Sequence, residues 1–291
     1  MYYSNRPPIE TIAVFCYTHS GEKGNYFRRY FVAIKIMLDA GHSGKANRSP
    51  VVREYWESER MWLLCEMLAE ELLKYGFEVL KTRKDINESL GVFNRGAKAK
   101  GCDLFISLHS NAVGGSGNEK VDRVEIYGAY DNLNNSRELA SRLATAIVDL
   151  MQASEGRVKT RKSQNGEREY YGVLRGARSV GCPLYYIVEH SFHTNERAAR
   201  WLMEDANLRR LAVLESAVIA GYYGLAKPEI VGDVNQNGEL DARDVALIKR
   251  ALLGSYQLND EQERLADVNG DGDLTALDYM LAKRKLLKTL D

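Results

Sequence analysis

Between residues 33 and about 225, short apolar runs alternate with segments of helical periodicity, and this alternation limits the fold more than any other feature of the chain. The runs are Ile34, Ile36, Met37 and Leu38, then "FEVLKTR" (77–83), "DLFISLHSN" (103–111), "RVEIYGAY" (123–130) and "PLYYIVEHSF" (183–192). In "ESERMWLLCEMLAEELLKYG" (57–76), Met61, Trp62, Cys65, Leu68, Ala69, Leu72 and Leu73 fall on one helical stripe, and Gly76 closes it as C-terminal glycines do. Helices are also predicted over 86–101, 136–152, 195–203 and 205–225. Strands alternating with helices of this length give an α/β fold, a mostly parallel sheet with helices on both faces.

Ligands of such sheets collect at the carboxyl ends of the strands. His42 follows the first strand in "LDAGHSGKA", His109 ends "ISLH" and Glu189 ends "YIVE". A lone histidine there is ordinarily structural; two at neighbouring strand ends, with a carboxylate, form a constellation. A hydrolytic zinc site needs three nitrogen or oxygen ligands and one open position, and zinc suits two imidazoles and a carboxylate better than magnesium or calcium does. The third ligand is expected where the loop after His42 enters the first long helix, at Glu57 or Glu54. Glu57 is preferred because positions +5, +8, +11 and +15 from it are Trp62, Cys65, Leu68 and Leu72, whereas +5 from Glu54 is Glu59. For either glutamate, the plain alternative is a carboxylate favoured by the helix N-terminus.

Composition excludes little but bounds the rest. Lys/Arg and Asp/Glu are equal at 40 each, so no global charge argues for nucleic acid or an anionic surface. Residues 231–291 carry 8 Lys/Arg against 12 Asp/Glu, which leaves 32 against 28 for residues 1–230: a mildly basic body with an acidic tail. Cys16, Cys65, Cys102 and Cys182 are widely spaced and read as buried small hydrophobes. No transmembrane segment is expected, since Lys35 and Glu66, Glu70 and Glu71 interrupt the best apolar stretches. Residues 1–32 lack the pattern of a signal peptide and are read as an N-terminal extension of unassigned role.

"LDAGHSG", "ESERMW", "ISLHSNA" and "YIVEHSFHTN" together resemble the four signatures of the zinc-dependent N-acetylmuramoyl-L-alanine amidases, in order, over residues 33–225. The resemblance implies His42, Glu57 and His109 as ligands of one catalytic zinc ion and Glu189 as the catalytic glutamate. It implies as substrate the amide joining N-acetylmuramic acid to L-alanine in peptidoglycan. Two departures stand out: Ser43 replaces the usual second glycine of Gly-His-Gly, and His190-Ser191-Phe192-His193 stands where an apolar pair is common after the glutamate. The histidines are expected to lie around the site or on the surface rather than to bind metal. Asn111 is a candidate substrate contact or a loop-capping amide. "SEGRVKTRKSQNGEREYYGVLRG" (154–176) reads as a basic, aromatic insertion, either a solvated loop or one wall of a cleft. As a wall it would offer Arg161, Tyr170, Tyr171 and Arg175 to an acidic stem peptide.

In the tail, "DVNQNGELDARD" (233–244) and "DVNGDGDLTALD" (267–278) repeat at an offset of 34. Oxygen-bearing side chains stand at positions 1, 3, 5 and 12, namely Asp233, Asn235, Asn237 and Asp244, then Asp267, Asn269, Asp271 and Asp278. Gly238 and Gly272 take position 6, where a sharp turn is needed, so two structural calcium ions are predicted. A loop followed by one helix, duplicated without the entering helix of an EF-hand, resembles a type I dockerin, a small all-α calcium-binding module. That resemblance implies docking to a cohesin module of a scaffoldin or surface protein, as in a cellulosome. The residues expected to read the partner are Ala242, Arg243, Lys249 and Arg250, and in the second copy Ala276, Leu277, Lys283 and Arg284. Arg243 and Leu277 differ, so the two faces are not expected to be interchangeable.

The expected organisation is thus an extension (1–32), a zinc amidase domain (33–225), a short linker containing Pro228 (226–232) and a dockerin (233–291). Its expected location is extracellular or in the cell envelope, although no export signal is visible. Two other readings share this fold: a wall-binding protein that does not cut, and a zinc hydrolase of another amide bond.

Overall fold

The computed structural model describes residues 14–17, 23–26, 33–115, 117–131, 133–166, 168–226 and 229–288. The chain divides into two units, Met1–Leu225 and Ala226–Asp291. In the N-terminal stretch, β1 (Val14–Tyr17) pairs antiparallel with β2 (Lys23–Tyr26). The rest of the extension, like Lys227 and Pro228 of the linker, lies outside the described residues.

The first unit is built on a six-stranded sheet. Four strands run parallel: β3 (Lys35–Ala40), β4 (Glu78–Lys81), β5 (Leu104–Asn111) and β8 (Leu184–Phe192). β6 (Val124–Tyr127) lies antiparallel against β8, and β7 (Gly156–Lys159) lies parallel to β6, giving the order β4-β3-β5-β8-β6-β7. Side chains alternate across the pleat. Ile36, Leu38, Leu104, Ile106, Leu108, Tyr186 and Val188 share one core with α1 (Glu57–Lys74), α3 (Leu133–Met151) and α6 (Asp205–Tyr223). On the opposite face Met37, Phe105, Tyr127, Tyr185 and Ile187 pack with Val173, Leu174 and Ala177 of α4 (Gly172–Ser179). α5 (Glu196–Met203) precedes α6. The α/β architecture with a mostly parallel sheet is therefore the one the alternation implies.

Two stretches depart from the sequence reading. The helix expected over 86–101 is shortened to α2 (Val92–Ala97). Arg83 explains why: its guanidinium donates to the carbonyls of Ile86 (3.1 Å) and Glu88 (3.4 Å), and Asp85 accepts the Asn87 N–H, which holds 83–90 as a loop. The insertion 154–176 is neither wholly loop nor wholly wall. It contributes β7 at the sheet edge and an isolated bridge between Lys162 and Glu169, and then enters α4. β7 has no apolar alternation, being exposed at Gly156 and Arg157, so periodicity could not reveal it. Cys65, Cys102 and Cys182 are free and buried, while the side chain of Cys16 lies outside the described residues.

In the second unit, α7 (Ala242–Leu252) and α9 (Ala276–Lys288) each leave one of the repeated loops. Between them lies α8 (Asp260–Ala266), which the repeat alone does not announce; a capping box of Asn259 and Gln262 starts it. Val234, Ile248, Leu258, Ala266 and Ala282 form the small core. Among the described residues, no helix is long and apolar enough to cross a membrane.

Candidate functional site

His42 stands on the turn after β3 with φ 59°, and Gly41 before it has no room for a side chain. A Cβ at Gly41 would lie 2.6 Å from Cε1 of His109 and 2.8 Å from the Leu108 carbonyl oxygen. This close approach seats the His42 turn on the end of β5. Glu57, 1 % exposed, is the first residue of α1, so the helix itself aims its carboxylate at the two imidazoles. Oε1 of Glu57 lies 2.8 Å from Nδ1 of His109 and accepts the Ser110 N–H at 3.1 Å; Oε2 lies 3.4 Å from Nε2 of His42. One ligand atom from each of His42, Glu57 and His109 falls within 4.8 Å of the others, the one such group of three among the described residues. Glu54 is exposed and outside the group.

Burial alone would push the Glu57 carboxyl up, but the imidazoles of His109 and His42 outweigh it and hold the group well below the usual carboxylate range. The cluster is therefore an ionised carboxylate between two imidazoles, a donor set that fits zinc. The Asn47 amide donates to Oε2 of Glu57 (2.8 Å) and lies 2.9 Å from Nε2 of His42, cross-linking the two. Nothing in the sequence pattern singled Asn47 out.

Glu189 reaches the same place from β8. It is the register partner of His109 on one side and of Glu125 on the other. Its Oε2 is buried with no hydrogen-bond partner among the described residues. Burial, reinforced by the negative charges of Glu57 and Glu125, raises its proton affinity well above the ordinary carboxyl value. Glu125 is the contrasting carboxylate. Burial raises it too, but the hydroxyl of Tyr127 (2.7 Å), Arg123 (2.7 Å) and Lys159 (3.2 Å) lower it further and keep it ionised. Its signal in the sequence is a charge inside the apolar run "RVEIY".

The proposed substrate contacts divide. Asn111 is held locally, donating to Oε2 of Glu125 (3.1 Å) and accepting the Ala112 N–H (2.8 Å). Arg161 stacks on the exposed ring of Tyr170, 3.7 Å from its centroid, and Tyr171 packs against Tyr127 at 4.9 Å. Through Tyr127 this aromatic–arginine group adjoins the Glu125 and Glu189 edge of the site. Arg175 is spent on the carbonyls of Glu169 (2.9 Å) and Tyr170 (2.7 Å), so it shapes this segment from within.

Neither extra histidine belongs to the group of three. His190 points to the opposite face of the sheet, fully buried, with Nε2 2.7 Å from Glu215 of α6 and Nδ1 2.9 Å from the His109 carbonyl oxygen. That carbonyl sits where the β5–β8 register shifts between His109 and Asn111, so the imidazole takes up a bond that the ladder loses there. His193 lies behind Glu57, 3.8 Å from Oε2, stacked on Tyr55 and within 3.0 Å of the Ser110 carbonyl and hydroxyl oxygens. Burial lowers its proton affinity.

In the second unit the two acidic loops are built alike. Asp233 accepts the Asn237 N–H (3.1 Å) and the Gly238 N–H (2.7 Å); Asp267 accepts those of Asp271 (3.2 Å) and Gly272 (2.8 Å). Asn235 and Asn269 accept the N–H two residues on, at 3.0 and 2.9 Å. At position 12, Asp244 and Asp278 are both fully buried and reach back to the loop start, accepting the N–H of Asn235 (2.9 Å) and of Val268 (2.9 Å). Asn237 accepts the Glu239 N–H, and Asp271 that of Asp273, at 3.0 and 2.9 Å. Gly238 and Gly272 have φ of 91° and 89°. The helix faces that follow are unlike. Asn235, Arg243, Ala246, Leu247 and Arg250 line an open groove of about 430 Å³ beside α7. Arg243 pairs with Asp241 and Arg250 lies over Tyr256. On α9, Leu277 and Met280 are exposed, and Lys249, Lys283 and Arg284 are exposed on their helices.

Comparison with known proteins agrees with this division. The family described as N-acetylmuramoyl-L-alanine amidase matches residues 36–220, and the dockerin type I domain matches residues 231–287. A search of curated proteins returns no match. Among solved structures, Cwp6 from Clostridium difficile is similar at 24% identity and TM-score 0.57, over 65% of this chain and 29% of that one, so the match spans under a third of Cwp6. An N-acetylmuramoyl-L-alanine amidase from Clostridium difficile 630 is similar at 21% identity and TM-score 0.56, over 66% of this chain and 97% of that one. The catalytic domain of CwlV, an N-acetylmuramoyl-L-alanine amidase from Bacillus (Paenibacillus) polymyxa var. colistinus, gives 18% and 0.55, over 66% and 99%. At these identities the structures speak to fold, and the family match carries the assignment.

Proposed function

Because the chain belongs to the N-acetylmuramoyl-L-alanine amidase family across residues 36–220, we propose that it hydrolyses the amide between N-acetylmuramic acid and L-alanine in peptidoglycan, using one zinc ion held by His42, Glu57 and His109. The observation that supports this most is the convergence of those three donors within 4.8 Å beside Glu189. Zinc bound there supplies a Lewis acid for the scissile carbonyl and acidifies a water toward pKa ~7. Glu189 has the complementary property, a carboxylate whose proton affinity is raised, so it accepts a proton from the attacking water and returns it to the departing nitrogen. Asn47 and the Ser110 N–H orient Glu57. Arg161, Tyr170 and Tyr171 line the Glu125 edge as contacts for the stem peptide, with Asn111 beside them and Arg175 positioning the segment.

The dockerin type I domain extends the reading. Asp233, Asn235, Asn237 and Asp244, with Asp267, Asn269, Asp271 and Asp278, hold two structural calcium ions, and the α7 and α9 faces dock to a cohesin. Arg243, Lys249 and Arg250 form one such face and Leu277, Lys283 and Arg284 the other. A cell-wall substrate and a cohesin partner both put the protein outside the cell or in its envelope. A binding protein without activity is disfavoured because the donor set and Glu189 are all present and converge.

The test is zinc content together with release of free amino groups from purified peptidoglycan, for wild type and Glu189→Ala. Cutting by wild type, with about one zinc but no cutting in the variant, is the expected result. Zinc without cutting in wild type would move the substrate elsewhere, and no zinc in either protein would remove the proposed centre.

A further inference from the structure

A second pocket opens on the opposite side of His42 from Glu189, toward β4. It measures about 220 Å³ and lies between the His42–Ser43 turn and Leu90 and Val92, with Arg83 and Arg95 in its wall. These guanidiniums are unusual in being only 2 % and 5 % exposed. Arginine cannot shed its charge by deprotonation, so a buried guanidinium needs a counter-charge or a full set of acceptors. Neither side chain has the full set. Arg83 donates to the carbonyls of Ala40 (2.7 Å), Ile86 (3.1 Å) and Glu88 (3.4 Å) and Arg95 to that of Ala40 alone (3.1 Å), and both leave a buried Nε without a partner among the described residues.

The counter-charge is also short by one. Asp39 is the fully buried carboxylate here, 3.6 Å from Arg95, and it already accepts the hydroxyls of Thr82 (2.6 Å) and Ser107 (2.7 Å). Glu88 turns its carboxylate to the Lys84 N–H at 2.8 Å. The Trp62 ring, 5.4 Å from the Arg83 guanidinium carbon, offers only partial compensation. Two buried cations thus face one buried anion at the wall of an open pocket that shares His42 with the candidate metal centre.

We propose that this pocket is an anion subsite in which Arg83 and Arg95 receive a carboxylate of the peptide flanking the scissile amide. The inference rests on the amidase reading, because His42 fixes how far from the reacting bond the carboxylate sits. It assigns the two sides of the cleft different work: the Arg83–Arg95 side reads charge, and the Arg161–Tyr170–Tyr171 side offers stacking surface.

The experiment uses the full chain with zinc and two soluble muramoyl-peptides that differ only in whether the α-carboxylate of the second residue is free or amidated. The free acid is expected to have the higher kcat/KM by about tenfold, carried mainly by KM, the size of one charge-assisted hydrogen bond. Val92→Glu places a tethered carboxylate at the pocket mouth from a residue 53 % exposed, so folding is not at stake. It is expected to erase the advantage of the acid, bringing the ratio of kcat/KM between the two substrates to about one. Equal kcat/KM for the two substrates in wild type, with cutting intact, overturns the subsite and leaves the amidase reading standing. If neither substrate is cut, the amidase reading fails, and calorimetric binding of the same two compounds decides the subsite: tighter binding of the acid supports it, and equal or absent binding overturns it.

Discussion

The candidate zinc centre and the two candidate calcium loops rely on the same kind of ionised side chain but are assembled in opposite ways. In the body, His42, Glu57 and His109 come from a turn, a helix start and a strand end, and the sheet and α1 must exist before the three can meet. In the tail, each loop carries its own oxygen donors on twelve consecutive residues, and their geometry is written in local Asp-to-N–H bonds. The first kind of site depends on the fold; in the second, the fold is expected to depend on the site. Val234, Ile248, Leu258, Ala266 and Ala282 are a small core for a unit of this length, and such units lean on bound metal for stability.

The largest effect that would test this contrast is selective metal removal. A calcium-selective chelator is expected to unfold residues 231–287 while amide cleavage persists, and a zinc-selective one to abolish cleavage while that helical unit keeps its circular dichroism. Loss of cleavage on calcium removal alone would break the contrast. Within the body, Glu189→Gln should lower kcat by about 10²- to 10⁴-fold with zinc retained, because it removes a proton carrier and no ligand. Glu57→Gln should instead lose the metal first, which zinc titration of the two variants separates.

The same contrast explains what could be read in the sequence. The loops were fully legible, since donors, glycine and repeat all lie within one short window. His42 and His109 were legible as the ends of neighbouring strands, which made them a constellation with a carboxylate, and the family resemblance gave that set its role as ligands of a catalytic zinc. Glu57 was preferred to Glu54 from the apolar stripe of α1, and the fold puts the Glu57 carboxylate 2.8 Å from His109. Asn47, approached by an unusual turn, carried no signal in its type, and His190 stood out as a departure whose partner, Glu215, is too distant in sequence to be read from it. β7 and the 83–90 loop escaped for a different reason. Their backbones are held by edge pairing and by the Arg83 side chain, neither of which leaves an apolar period.

Glycine substitution offers a smaller and sharper test, because the two regions need glycine for different reasons. Gly41 is needed for space, since its Cβ would strike the His109 imidazole. Gly272 is needed for its backbone, at φ 89° with nothing within 4 Å of a Cβ. Gly41→Ala should therefore weaken zinc binding by about 10- to 100-fold, the usual result of displacing the support of a ligand, and also lower the melting temperature of the body, by the equivalent of about 1–3 kcal/mol, because the new Cβ meets the Leu108 carbonyl. Gly272→Ala should cost the tail about 1–2 kcal/mol of folding free energy through left-handed strain and leave zinc affinity unchanged.

A last contrast lies in the pH response of the body. Burial lowers the proton affinity of His190, but the Glu215 carboxylate 2.7 Å away outweighs it and raises the imidazole above its ordinary value. A group whose folded value is raised contributes stability that is fully present below its unfolded pKa of about 6.5 and lost as pH rises through the folded value. Wild type should therefore exceed Glu215→Gln in Tm at pH 6, by the equivalent of about 1–3 kcal/mol, and the gap should narrow toward pH 9. A gap that stays constant across that range would mean that Glu215 supports His190 as a neutral hydrogen-bond acceptor. The His109 carbonyl would then be held by an uncharged imidazole, and the body, like the tail, would keep its site in place through hydrogen bonds to backbone rather than through a buried ion pair.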